Sequence, residues 1–544
     1  MAGPFKLEGM IPSQRRLAPR HQPEGWKFLT YRGPVGYEMT RVIGASLLGV
    51  NGVAVEVEVR LSSQLPRIDI VGLPEAAVRE SAARVRAAIA SVGQRFPDRR
   101  ITVNLAPASL RKGDAGLDLP IAVGILAAAG VLDSERLQAF GLLGELALDG
   151  RLRPVKGALA LTLAIREAGA RCVIVPAGNG PEAALTPDAQ VLEASDLGAV
   201  LRHLIEDSPL PRAEVATPEP SSRFVPDIAD VHGQERAKRA LVVAAAGGHS
   251  IFFWGSPGSG KTMLAQRLPG ILPAMDFAEA VEVTQIHSAA GLLENAVPIA
   301  TNRPFRAPHH TISTAGLLGG GNPPSPGEVS LAHRGVLFLD ELAEFQRYTL
   351  EALRQVIEQH LVVIARAKTS CTFPAHFQLI AASNPCPCGW RGSGIRDCRC
   401  DDGATARYTN RISGPLLDRI DLHVSVAPVT WSQIDEPARG PSSAELRARV
   451  IACRSRQQSR SSGEGFRTNA EIPDEALDRL VGATADARRL LGAAVEKMGL
   501  SARAARRLLR VARTVADLAE EEKTGPRAIA EALNYRATEL GGSS

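Results

Sequence analysis

The sequence predicts an α/β protein with a parallel sheet in its central part, and three observations carry that prediction. The apolar run Ile251-Phe-Phe-Trp254 passes into Gly255-Ser-Pro-Gly-Ser-Gly-Lys-Thr262, and a helical pattern marked by Met263, Leu264 and Leu268 follows. Short apolar runs bounded by turn residues read as buried strands, and recurrence at three and four residues reads as helix. Val336-Leu-Phe-Leu339 is a second continuous run, of the kind found in strands covered on both faces, and it ends at Asp340-Glu341. A third run, Phe377 to Ala382, ends at Ser383-Asn384.

The remaining elements follow in order. With 544 residues the chain has room for about three or four domains. Residues 1–38 are rich in Pro, Gly and Arg without periodicity and are expected to form a disordered leader. Residues 39–206 read as an α/β domain, with strand-like runs from Val53 to Val59 and from Arg171 to Pro176. Residues 207–226 are rich in Pro and Ser and read as a linker. The core on the three strands spans 227–430, and 431–544 is helical and basic, notably Ser501 to Leu518.

Gly255 to Thr262 have the spacing G-x-x-x-x-G-K-[ST]. In that arrangement the backbone of Gly255, Ser256, Pro257, Gly258, Ser259 and Gly260 curls around a polyphosphate. Lys261 then sets its charge against the β- and γ-phosphates, and the Thr262 hydroxyl reaches Mg²⁺. The helix that follows points its N-terminus at the anion. Asp340 is placed to hold the metal's water shell. Glu341 is placed to polarise an attacking water, which separates a hydrolase from a simple nucleotide binder. Asn384, at the end of a neighbouring strand, is placed to orient that water.

Composition excludes several classes. Lys+Arg of 63 against Asp+Glu of 58 gives a net charge of +5, too mild to diagnose nucleic-acid binding, so any such surface must come from local clustering. There is no run of about 18 or more apolar residues and no apolar segment within Met1 to Gln22, which argues against a membrane span or secretion signal. Seven cysteines in a long chain of this kind point to reduced thiols or metal rather than a disulfide scaffold. The expected location is the cytoplasm.

Several segments together resemble one family. Asp230-Val-His-Gly-Gln-Glu-Arg-Ala-Lys-Arg-Ala240 is similar to the adenine-side entry segment of AAA+ ATPases. The stretches Phe305 to Ser313, Gly319-Gly-Gly321, Pro326 to His333 and Ile412 to His423 resemble the magnesium-chelatase-like branch. With Ile70-Val-Gly-Leu-Pro74 and Ile101 to Pro107, the resemblance is to the YifB/ComM family, over roughly residues 39–540, with Met39 at the family's usual start. It implies a Lon-protease-like N-terminal α/β domain, a P-loop AAA+ core with a parallel sheet, and a C-terminal helical lid domain. It also implies ATP and Mg²⁺ as cofactors and a homo-oligomeric ring, expected to be a hexamer. The implied activity is that of an ATPase and DNA helicase, ComM-like in promoting branch migration during natural transformation. By position, Asn384 matches sensor 1, Arg419 the arginine finger acting on a neighbour's nucleotide, and Arg503 sensor 2.

Four further signals need weighing. Arg506, Arg507, Arg510 and Arg513 recur at three and four residues, which puts a basic stripe on one helix face, either solvated or bound to DNA. Val362 to Phe373 alternates around a polar turn as a hairpin would. Related ring helicases insert a hairpin there, so Arg366 and Lys368 are candidate phosphate contacts; a plain surface hairpin is the alternative. Cys386-Pro-Cys388 and Cys398-Arg-Cys400 offer four thiolates, suited to structural Zn²⁺, with free thiols as the alternative. His309-His310 reads as a packed or nucleotide-sensing loop.

Asp118 to Ala122 and Gly144 to Pro154 carry the Lon-like resemblance, but Gly116 stands where the serine nucleophile belongs and Leu159 where the lysine belongs. Lys156 lies close to the second position, and Ser109 lies too far upstream of the first. The domain is thus expected to be a non-peptidase scaffold. Two other classes compete with the DNA motor: a magnesium-chelatase subunit, against which no D-x-S-x-S motif is present, and a protein unfoldase.

Overall fold

Two sheets organise the chain from Met39 onward. The computed structural model describes residues 39–113, 115–206, 208–215, 225–293, 299–366, 369–435 and 440–536. The expected leader 1–38, Lys368 and most of the Pro/Ser-rich stretch after 215 lie outside the described residues.

The first sheet begins with β1 (Thr40–Leu48) and β2 (Asn51–Ser62), paired antiparallel from Thr40↔Val59 to Leu48↔Asn51. Alternation in β2 turns Val55, Val57 and Val59 inward, each fully buried, and leaves Glu56 and Glu58 on the other face. There follow β3 (Arg67–Val71), α1 (Ala76–Ser91), β4 (Arg100–Ala106), α2 (Asp118–Ala128), β5 (Phe140–Leu142), α3 (Ala158–Glu167), β6 (Cys172–Pro176) and β7 (Gln190–Ala194). The strand order is β3-β4-β2-β1-β5-β6-β7, antiparallel only at β1/β2 and β2/β4. The buried Asp118 at the start of α2 is satisfied by Arg84 Nε at 2.6 Å and the Leu146 N–H at 3.2 Å. Residues 211–213, within the stretch read as a linker, hydrogen-bond along β7 through Glu193 N–Pro211 O and Ala213 N–Val191 O, both 2.9 Å. That segment therefore runs along the edge of this sheet.

The second sheet is built from α4 (Glu235–Gly247), β8 (Ile251–Trp254), α5 (Lys261–Ile271), α6 (Phe277–Ala289), β9 (Phe305–Arg306), β10 (Val336–Leu339), α7 (Arg347–Gln359), the hairpin β11 (Leu361–Arg366) and β12 (Thr369–Pro374), β13 (Gln378–Ser383) and β14 (Leu422–Ser425). Its order is β9-β10-β13-β8-β14, all parallel. The three apolar runs that predict a parallel sheet are β8, β10 and β13, and they are adjacent. Among the described residues, the last part of the chain carries four longer helices, α8 (Ser443–Arg460), α9 (Ala485–Met498), α10 (Ala502–Leu518) and α11 (Pro526–Asn534), and a short one at Leu477–Val481. The four longer helices share one apolar cluster with the core, in which Leu241 and Val243 of α4 meet Val511, Ala512 and Ile529.

The arginines of α10 differ from the expected stripe. Arg513 is 1% exposed and pairs with Asp517 at 2.8 Å. Arg510 pairs with Asp474 at 2.6 Å, and Arg507 with Asp421 at 2.8 Å. Helical spacing tells which side chains share a face but not whether that face meets water or protein. Here Asp421 and Asp474 on neighbouring segments and Asp517 on α10 itself accept the charges.

The two sheets are joined through α3 and α6. Leu159, Leu185, Ala280 and Ile299 form one buried cluster between them. Glu182 Oε1 accepts the Leu159 N–H at 2.9 Å and the Ser288 hydroxyl, and Ser288 Oγ in turn accepts the Gly157 N–H at 2.9 Å. Burial raises the Glu182 carboxyl above the usual range, with these hydrogen bonds acting against it.

Candidate active site

The Gly-rich loop lies between β8 and α5. Gly258 and Gly260 have φ of +75° and +94°, and a Cβ at either would meet nothing within 4 Å, so backbone conformation rather than crowding requires glycine. The hydroxyls of Ser256 and Ser259 are buried without a hydrogen-bond partner. Such orphaned hydroxyls are rare in native structures. Together with the open glycine backbone they fit a polyphosphate, which brings its own acceptors. Gln234, in the segment resembling the adenine-side entry, donates from Nε2 to Ser259 O at 3.1 Å.

Lys261 opens α5 and donates to Gly255 O (2.8 Å), Ser256 O (2.9 Å) and Asn384 Oδ1 (3.2 Å). Burial pulls its pKa below the usual lysine range, against the charges of Asp340 and Glu341. Thr262 Oγ1 donates to Asp340 Oδ2 at 2.6 Å. Because β13 pairs with both β8 and β10, the loop, Asp340 and Asn384 all emerge at the carboxyl edge of the sheet.

Asp340 Oδ1 accepts the Glu341 N–H at 2.9 Å. Glu341 has φ +52°, uncommon outside glycine, and its Oε2 lies 3.1 Å from His310 Nδ1. His310 in turn packs on His309, ring centres 4.1 Å apart. The motif from Phe305 to Ser313 contains this histidine, but nothing in its spacing shows that it meets Glu341, because the pairing spans two strands.

Arg419 stands at the opposite edge. It precedes β14, whose Leu422 pairs with Ile251 at the start of β8, whereas Gly255 follows the end of β8. Four strand residues at about 3.3 Å each separate the two levels by roughly 13 Å. Arg419 is buried, bound to Glu358 Oε1 at 2.7 Å and Pro415 O at 2.7 Å, and its Nε has no partner. It lines a cleft of about 370 Å³ with Arg303, Arg334, Arg454 and Arg507. Arg503 lies one turn before Arg507 on α10, exposed and without an ion-pair partner among the described residues. Since Arg507 donates to Arg419 O at 2.9 Å, that end of α10 belongs to the same edge.

The four thiols of Cys386, Cys388, Cys398 and Cys400 lie within 4.8 Å of one another. Sulfur separations of 3.4, 3.6 and 3.7 Å among the first three approach the edge of about 3.8 Å in a tetrahedron with Zn–S of about 2.3 Å. The donor set fits Zn²⁺ and leaves no position for a substrate.

On the hairpin, Arg366 pairs with Thr369 as the last register pair before the turn and is exposed, while Lys368 lies outside the described residues. Cys371 and Phe373 are buried, and a Cβ on Gly49, in the β1–β2 turn, would lie 3.2 Å from the Phe373 ring. One hairpin face therefore rests on the first domain. In that domain Leu159 is fully buried, Ser109 and Lys156 are exposed, and no serine–lysine hydrogen bond occurs among the described residues. Its buried lysine is Lys112, whose Nζ donates to Gly72 O (2.9 Å), Leu105 O (2.8 Å) and Pro107 O, and whose pKa burial lowers.

The family described as "Magnesium chelatase, subunit ChlI" matches residues 227–434, "Subunit ChlI of Mg-chelatase" matches 57–179, and "Magnesium chelatase, subunit ChlI C-terminal" matches 440–536. The competence protein ComM of Haemophilus influenzae is 42% identical over 503 residues, covering 91% of this chain and 97% of its own length. The uncharacterized protein YifB of Escherichia coli is 42% identical over 494 residues, 90% and 95% respectively. The magnesium-chelatase 38 kDa subunit of Cereibacter sphaeroides is 25% identical over 170 residues, only 28% of this chain. No helix among the described residues is long and apolar enough to cross a membrane. By full-length identity and by three matching segments that run in order, the chain belongs to the YifB/ComM magnesium-chelatase-like family.

Proposed function

We propose that this chain is a ring-forming ATPase that couples hydrolysis of Mg²⁺-ATP to DNA remodelling, as a helicase promoting branch migration in natural transformation and recombination. The observation that carries the ATPase reading is the division of charged groups between the two edges of one sheet. Lys261, Thr262, Asp340, Glu341 and Asn384 share the carboxyl edge, and Arg419 and Arg503 stand at the other. In a ring, an arginine that cannot reach its own phosphate loop meets a neighbour's.

In this reading Lys261 binds the β- and γ-phosphates, and Asn384, already hydrogen-bonded to Lys261, orients the attacking water. Glu341 leaves His310 to accept a proton from that water. Mg²⁺, when bound by Thr262 and Asp340, neutralises phosphate charge. Arg419 of a neighbouring subunit stabilises the charge that develops in the transition state. Cys386, Cys388, Cys398 and Cys400 hold structural Zn²⁺. Arg366 and Lys368 contact DNA phosphates, which carry little sequence information and suit a motor that follows any strand. The N-terminal domain acts as a non-peptidase scaffold, the ring is a hexamer and the location is cytoplasmic.

The DNA assignment draws support from the full-length match to a protein named for competence, whereas two magnesium-chelatase subunits match over only 28% and 36% of the chain, at 25% and 28% identity. ATPase rates with single-stranded, duplex and branched DNA test it. Stimulation by branched or single-stranded DNA is expected, and a rate indifferent to all three would favour the chelatase or unfoldase alternative.

A further inference from the structure

The four-cysteine loop does more than follow Asn384 in sequence; it lies on the phosphate-binding loop. Gly389 has φ +81°, and a Cβ there would sit 2.5 Å from Pro257 Cδ and 3.8 Å from Asn384 Cγ. Its backbone is thus in direct contact with the turn that must wrap a polyphosphate. The turn presenting Gly389 is closed by the Gly389 N–H donating to Cys386 O at 2.9 Å, and Cys386 and Cys388 both lie within it. Cys386 is fully buried at the end of β13, one strand from the loop.

Apart from the thiols, Arg391 ties this segment to the following helix, through Asp402 at 2.8 Å and Thr405 at 3.2 Å, and it has little apolar support. Between Cys388 and Cys400 the large apolar side chains are Trp390, partly buried with Arg396 4.8 Å from its ring, and Ile395, 58% exposed. A loop without an apolar core depends on a cross-link or a metal to stay ordered. Its far end leads into the helix Asp402–Thr409, whose Tyr408 packs in the same apolar cluster as Leu342, two residues after Asp340. The four-cysteine segment therefore lies between the phosphate-binding loop, the end of the Asn384 strand and the helix that packs near the acidic turn.

We propose that the Cys386–Cys400 knuckle, closed around Zn²⁺, is a prop for the phosphate-binding loop, so that loss of its ion weakens nucleotide binding. This rests on the zinc reading of the four cysteines. With the ion in place Gly389 presses on Pro257 and fixes the loop backbone in its phosphate-binding form. With the ion removed the segment loses its only tetrahedral anchor, and ordering the loop must then be supplied by the nucleotide itself, at the expense of affinity.

The test uses the full chain under reducing conditions, with metal content measured by mass spectrometry and affinity read with a fluorescent ATP analogue. Purified protein is expected to hold about one Zn²⁺ per chain. Stripping it with a zinc-selective chelator should weaken binding of the analogue by about tenfold or more, and adding back Zn²⁺, but not extra Mg²⁺, should restore it. Gly389→Ala, which keeps all four thiols, should retain its zinc and still bind the analogue more weakly. It remains informative if Cys398→Ser and Cys400→Ser fail to fold. Zinc present with affinity unchanged after stripping would overturn the proposal and leave the zinc site standing. Protein purified without zinc would remove both.

Discussion

The two edges of the five-stranded sheet are made from the same strands yet are built on opposite principles. At the carboxyl edge the backbone is left-handed at Gly258, Gly260 and Glu341, and two buried hydroxyls have no partner. At the amino edge charges are buried in pairs. Burial pushes the Asp421 carboxyl up, but His249 and Arg507 hold it well below the usual carboxylate range. Arg454 gives two hydrogen bonds to Ala245 O. Arg419 and Arg507, which line the cleft, and Arg536, bound to Ile420 O at 2.8 Å, each keep a buried Nε without a partner. Unpartnered buried polar atoms thus occur at both edges of this sheet, as they also do at Thr162 and Thr186 in the first domain. In the proposed reading, the two edges are two halves of a site that one chain cannot close alone.

The sharpest way to break that comparison is Arg419→Ala. If the amino edge completes a neighbour's site, turnover should fall about 10³-fold or more, with nucleotide affinity within a few-fold of the parent. Glu341→Gln should lower turnover by roughly 10²-fold or more by removing the proton acceptor, and should leave a stable ATP-bound oligomer on DNA. An Arg419→Ala loss confined to affinity would place that arginine in nucleotide binding instead.

The amino edge should also respond to acid. Burial, and after it the charge of Arg536, hold the His423 pKa at about 4, below its ordinary 6.5. The unfolded chain takes up this proton between pH 6.5 and about 4 while the folded chain does not, so stability is full above 6.5 and falls through that window. The loss is on the order of 3 kcal/mol for His423. Tm between pH 7 and pH 5 should fall less in His423→Gln than in the parent, and equal slopes would refute this. The smallest effect is expected at the carboxyl edge: His310→Ala frees Glu341 and should change kcat by a few-fold with KM little altered. A change in KM alone would assign His310 to binding.

How far these edges were legible differs for physical reasons. The strands β8, β10 and β13, the phosphate loop and the acidic turn are written in contiguous runs, where apolar patterning and glycine spacing suffice. The inward-facing arginines of α10 were not, because a basic stripe reads the same whether it faces Asp421 and Asp474 or solvent. The His310–Glu341 pair, the seat of Gly389 on Pro257 and the Glu182–Ser288 link between domains join residues far apart in the chain. Such contacts depend on strand order and helix docking, which a single sequence does not reveal. In the stretch 211–213, Pro211 contributes only its carbonyl to the edge of β7, where no N–H is needed, so a proline there is compatible with pairing along the sheet.

If catalysis is shared across a subunit interface, as proposed, two variants that are each inactive should complement one another when mixed. Arg419→Ala keeps an intact carboxyl edge, and Glu341→Gln keeps an intact amino edge. Combined at equal concentration above the assembly threshold, they form interfaces that pair a working Glu341 with a neighbour's Arg419. ATPase activity of the mixture well above that of either variant alone is the predicted result. A mixture no more active than its components, together with full activity from dilute, monomeric Arg419→Ala protein, would contradict the account.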